Sequence, residues 1–149
     1  MYGDPRAIRR LATQLREQGD DIRADADRLV AEAEQVAWQG WAADAMRAHV
    51  ARRAAGLRQA ARAHDEAATA LDRHADEVER LQALIAAIER RAHRLIAGAR
   101  ERLADLGRRV LEGVTGLSPD PVDELLDRFV PPPPGSRAWL SVDLPGLGR

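Results

Sequence analysis

The sequence predicts an all-α protein: a long antiparallel helical hairpin, coiled-coil-like, with an extended second helix and a Pro-rich C-terminal tail. Three observations carry this. Large apolar residues recur every seventh position in the first part of the chain, and a second such series follows residue 50. Between the two lies a Gly-containing turn at 38–40. The apolar fraction, 45%, is dominated by Ala, with only 3% aromatic and 32% charged residues, the mixture of long helices rather than of an aromatic-rich enzyme core.

The first helix starts at a clear signal. Asp4 is a good N-cap, and Pro5 suits the first helical position, where its missing N–H is not needed. From there to Ala37 no further Pro occurs. Ile8, Leu15, Ile22, Leu29 and Val36 form the large series, and Ala12, Gly19, Ala26 and Ala33 a small series, both spaced by seven. A face that alternates large and small residues packs closely on a second helix. Gly19 disfavours a helix interior by about 1 kcal/mol, so its place among the small positions implies a packing role.

The second helix runs from Trp41 without Pro until Pro119. Val50, Leu57, Leu71, Val78 and Ile85 continue the large series, with His64 filling the vacant place, and Ala54, Ala61, Ala68 and Ala75 are the small positions. Folding at Gln39-Gly40 sets Val36 against Ala43, Leu29 against Val50, Ile22 against Leu57, Leu15 against His64 and Ile8 against Leu71. Each pair of residue numbers sums to 79. One short turn thus brings both helices into register, an αα-hairpin.

Beyond about Ala75 the first helix is used up. Val78, Leu81, Ile85, Ile88, Ala92, Leu95 and Ala99 follow a three-four seam, and Leu84, Ile96 and Leu103 widen it. A bare stripe of this kind marks an interface. It pairs with another copy, meets a different protein, or breaks and folds back, although nothing before Gly98 signals a break. We take Val78, Leu81, Leu84, Ile85, Ile88 and Leu95 as the partner interface. Asp120 and Pro121 can start a short helix to about Phe129, and Pro131 to Pro134 form a stiff extended spacer. The domain reading is a hairpin over 1–98, a helical extension and short helix over 99–130, and a flexible tail over 131–149. Trp139-Leu140 is a candidate docking motif in that tail, although an incidental Trp in a loose segment is the weightier reading.

Trp38-Gln39-Gly40 at the bend, followed by Trp41-Ala42-Ala43-Asp44-Ala45-Met46, resembles the WXG family of small type VII (ESX) secretion proteins, helical hairpins with Trp-Xaa-Gly at the turn. The resemblance covers residues 1 to about 98. It implies a helix-bundle dimer and either export through a type VII apparatus or service as partner or chaperone to an exported effector. The family's Tyr-x-x-x-Asp/Glu export signal after helix two has no counterpart, since the only Tyr is Tyr2. In physical terms Gly40 allows the reversal, and Trp38 caps the end of the seam with its indole N–H toward water or a partner.

Other functions find little support. There is no Cys, which excludes thiolate chemistry and disulfides, and no two of His49, His64, His74 and His93 are three or four residues apart, so no metal site is expected. Asp20, Asp21, Asp25 and Asp27 read as a solvated face paired with Arg16, Arg23 and Arg28. No phosphate loop or nucleophile elbow occurs, and neither enzyme activity nor a cofactor is expected. The net charge is −1, so no global field favours nucleic acid. Residues 89–109 carry seven Arg against Glu89, Glu101 and Asp105. Lacking aromatics for base stacking, this stretch is better read as attracting an acidic protein partner or the chain's own Asp120, Asp123, Glu124 and Asp127. No membrane span and no Sec-type signal peptide are evident. The expected location is the cytoplasm, and the resemblance leaves open whether the chain itself is exported by a type VII system. The alternative is a cytoplasmic coiled-coil adaptor unrelated to secretion.

Overall fold

The computed structural model describes residues 3–148, so Tyr2 lies outside the described residues. The element order is α1 (Pro5–Gln35), α2 (Trp41–Leu111), α3 (Pro121–Arg128) and a short 3-10 helix, Arg137–Ser141. There is no strand among the described residues. The Asp4 carboxylate accepts from the Arg6 N–H at 3.0 Å, and Pro5 opens α1. At the other end Val36 turns extended. Gly40 adopts φ +97°, a region that L side chains rarely adopt, and its carbonyl accepts from the Asp44 N–H at 3.1 Å to start α2. α2 is one helix of 71 residues, continuous past Ala75.

The chain forms two compact units, divided between Glu77 and Val78 rather than near residue 98. The first, Asp4–Glu77, is the hairpin. Its register lies within one residue of the expected one: a Cβ added to Gly19 would lie 3.3 Å from the Ala61 carbonyl oxygen, and those two numbers sum to 80 rather than 79. That register sets Ala12 level with Ala68 and Ala26 level with Ala54, and all four are fully buried. The centre of the seam is therefore the small series. Ile8, Leu15, Ile22, Leu29, Val50, Leu57 and Leu71 are only half-buried, a correction to the picture of large residues meeting large. The physical reason is close approach. With Gly and Ala between them the two backbones come together, and the larger side chains are displaced to the flanks.

Ion pairs line the outside of this seam. Arg9 reaches Asp76 at 2.7 Å, Arg16 reaches Asp72 at 2.5 Å, Arg58 reaches Asp27 at 2.7 Å, and Arg23 pairs with Asp65. Arg23 also meets Asp20, and Arg28 meets Asp25. Exposed pairs contribute about 0.2–1 kcal/mol each, so they favour the register while the seam supplies the attraction. His64 is half-buried, and its Nδ1 lies 2.9 Å from the Ala60 carbonyl oxygen of its own helix.

The second unit holds Gly3 and residues 78–148. Here the C-terminal segment folds over α2. Ile85, Ala92 and Ala99 form one core with Leu126, Trp139, Leu144 and Leu147, and Ile88, Leu95, Phe129, Leu140 and Val142 pack against it. The tail expected to be flexible is thus packed. Trp139 is 0% exposed. A buried aromatic removes about 150–250 Å² from water, worth roughly 4–6 kcal/mol at about 25 cal/mol per Å² as an upper bound, enough to order a segment that has little helix of its own.

Candidate interaction surface

Two surfaces follow from this architecture. The first is the hairpin tip. Trp38 is 64% and Trp41 84% exposed. Trp38 therefore does not cap the seam as its position suggested; its indole faces outward because the small residues of the seam leave no wide apolar end to cover. The backbone beneath is held by Arg47, which sequence reasoning did not single out. Its guanidinium donates to the Val36 carbonyl at 3.0 Å and to the Trp38 carbonyl at 2.9 Å, satisfying the open acceptor at the C-cap of α1 and one in the connecting turn. The signal available was a cation nearly two turns into α2, on the helix that follows the bend. Solvent-exposed aromatics on a pinned backbone have the character of binding hot spots.

The second surface is the stripe on α2. Val78 and Ile85 are 2% exposed, Leu81, Ile88 and Leu95 are half-buried, and Leu84 is 49% exposed. Of the residues taken as a partner interface, Ile85, Ile88 and Leu95 are thus packed with the chain's own C-terminal segment, because Trp139, Leu144 and Leu147 supply the apolar cover that the stripe requires there, while a Cβ on Gly3 would lie 3.0 Å from the Val78 side chain. Trp139 and Leu140 pack into the core that the C-terminal segment forms with α2. The Trp139 Nε1 donates to the Pro133 carbonyl at 3.1 Å, and the His93 ring meets its ring edge-on at 5.7 Å. The Glu89 carboxylate accepts from the Gly135 N–H at 3.2 Å, which ties the end of the proline run to α2.

The charge pattern closes the same way. Arg102 grips Asp123 through Nε and Nη2, with contacts of 2.5–3.1 Å, and Arg100 meets Asp127 at 2.8 Å. Asp123 is 5% exposed. The hydrogen bonds from Arg102 hold its carboxyl below the usual range against the opposing effect of burial, and the same bonds raise the Arg102 guanidinium. This is a charge-assisted, bidentate contact.

A hairpin with an aromatic tip and a long second helix can now be set against known families. The family model described as "Putative T7SS secretion signal domain" matches residues 1–103. The chain belongs to this type VII secretion signal domain family. No curated protein and no solved structure matches the chain. The signal domain spans α1, the tip and α2 as far as Leu103, which makes this a type VII secretion-associated protein. Among the described residues no helix is long and apolar enough to cross a membrane.

Proposed function

We propose that the protein is a non-enzymatic helical interaction protein of the type VII pathway, exported itself or together with a helical partner, and that the hairpin tip is the surface read by the pathway. The observation that carries this is the exposure of Trp38 and Trp41 on a turn braced by Arg47. Their large apolar area faces solvent while the hairpin seam is already closed by Ala and Gly. Exposed tryptophans contribute little to a fold and much to a bound complex. Trp38-Gln39-Gly40 also supports kinship with WXG proteins, which carry the same triplet at the bend.

The test is secretion from a host with and without a working type VII apparatus. The parent is expected in the medium only when the apparatus is present. The Trp38→Ala/Trp41→Ala chain should lose export by about tenfold or more, the scale of a hot-spot contact, with its thermal midpoint unchanged. Equal appearance of parent and variant in the medium would remove the tip from recognition. Retention of the parent inside both hosts would favour a cytoplasmic helical adaptor.

A further inference from the structure

From Val78 onward α2 presents an apolar stripe flanked by arginines. Residues 89–109 carry seven Arg and three acids, a net +4, whereas residues 120–148 carry five acids against Arg128 and Arg137, a net −3. The segment lying on the stripe is thus its electrostatic complement. Its polar anchors on α2 include Asp123 on Arg102, Asp127 on Arg100, the Gly135 N–H on Glu89, and the Gly146 carbonyl on Arg91. It is joined to α2 through residues 112–120, all exposed, in which Gly113 and Gly116 take φ +88° and +81°. At one margin the cover is incomplete. Leu84 is 49% exposed and borders an open cleft of about 410 Å³ with Ile88, Leu140 and Val142.

We infer that residues 120–148 are an intramolecular stand-in for a partner, and that the partner is an acidic amphipathic helix which displaces them from the stripe between Leu84 and Leu103. The inference rests on the helix-pairing reading above and adds the chemistry of the partner. The three-four spacing of Ile85, Ile88, Ala92, Leu95 and Ala99 is a seam made for a helix, yet the cover it receives is a short helix, a proline run and a 3-10 turn. A continuous helix would follow the seam along its length and set carboxylates opposite Arg100 and Arg102 as Asp123 and Asp127 do now. A second copy of this face is a poorer occupant, because residues 84–103 carry five Arg against Glu89 and Glu101, a net +3, and two such segments repel. A tethered cover on a short linker acts at an effective concentration of the order of millimolar. The partner must therefore gain from contacts the cover does not make, and the uncovered edge at Leu84 is where it can begin.

Trp139 reports on the displacement. In a full-length chain with Trp38→Phe and Trp41→Phe it is the sole tryptophan, fully buried in the closed state. The probes are two synthetic helices with the same leucine face, one flanked by Glu and the other by Lys. The Glu helix is expected to shift Trp139 emission to the red in a saturable way, and the Lys helix is not. Adding Asp123→Asn should lower the half-point for the Glu helix roughly tenfold, the scale of one lost charge-assisted contact. No shift with either probe in either chain overturns the inference, as does an equal response to both probes. A red shift that follows protein concentration alone, with a dimer mass, overturns it in favour of a second copy. Failed export with displacement intact would sink the secretion reading and leave this one standing; normal export without displacement would do the reverse.

Discussion

Gly19→Ala sets two opposing effects against each other at one atom. In a helix interior Ala is favoured over Gly by about 1 kcal/mol. At Gly19 the new Cβ would lie 3.2 Å from Asp65 Oδ1 and 3.3 Å from the Ala61 carbonyl oxygen, both tighter than ordinary van der Waals contact. Neither neighbour yields easily. The Asp65 carboxylate is held by Arg23, and the Ala61 oxygen is helix backbone. Overpacking of this kind destabilises by about 1–3 kcal/mol, so the clash outweighs propensity and Gly19→Ala should come out neutral to about 2 kcal/mol less stable. Gly56 is the control. It is exposed, interior to α2, and a Cβ there meets nothing within 4 Å, so Gly56→Ala should stabilise by up to about 1 kcal/mol. Urea unfolding followed by circular dichroism measures both, and their difference isolates the packing contribution. Equal stabilisation by the two substitutions would refute the close-approach account of the seam.

Trp139→Ala should release the C-terminal segment while sparing the hairpin, since its core neighbours all lie in the second unit; Trp→Ala in a core destabilises by about 3–5 kcal/mol. Hydrogen exchange is expected to lose protection within residues 121–148 and keep it within α1, and uniform loss would contradict the division into two units. For pH, Asp123 has a folded-state pKa below its ordinary 3.8, chiefly through Arg102. Its contribution is therefore fully present above that ordinary value and is lost as pH falls through the lowered folded value. Trp139 emission should shift to the red in acid below about pH 4, with a smaller acid-dependent change in Asp123→Asn; an identical acid transition in the two chains would contradict this.

The hairpin was legible because its information is periodic. Series spaced by seven and one Gly turn fix the faces and register of α1 and α2, and the observed pairing of Gly19 with Ala61 departs from the expected register by a single residue. Periodicity gives the face but not the depth. Ile8 and Ala12 belong to the same face, and which series lies at the centre depends on how closely the backbones approach, a property of both helices together. The C-terminal cover was less legible for a different reason. Trp139 finds His93, 46 positions earlier in the chain, and no local pattern around Pro131–Pro134 announces such a contact. The available signals were indirect: an apolar stripe in need of cover, and Asp123 and Asp127 matched in charge to Arg100 and Arg102. Arg47 shows the same limit at the tip, since its partners are backbone carbonyls.

The two units answer one physical problem in different ways. A long Ala-rich helix offers little area per residue, about 0.8 kcal/mol for each methyl-sized group removed from water. Along the hairpin this small gain is repeated at Ala12, Ala26, Ala54, Ala61, Ala68 and Ala75, so no single side chain decides its stability. Removing one of these methyl groups has a modest effect, whereas adding bulk at Gly19 is felt by both backbones. Over residues 78–148 the gain is concentrated in Trp139, Ile85 and Leu126, and one substitution there can open the segment. A distributed seam favours a hairpin that keeps its shape while its tip is bound. A concentrated one favours a cover that is either on or off. The structural difference therefore follows the proposed roles: recognition at Trp38 and Trp41, where rigidity helps, and exchange of partners along α2, where a cover must be able to leave.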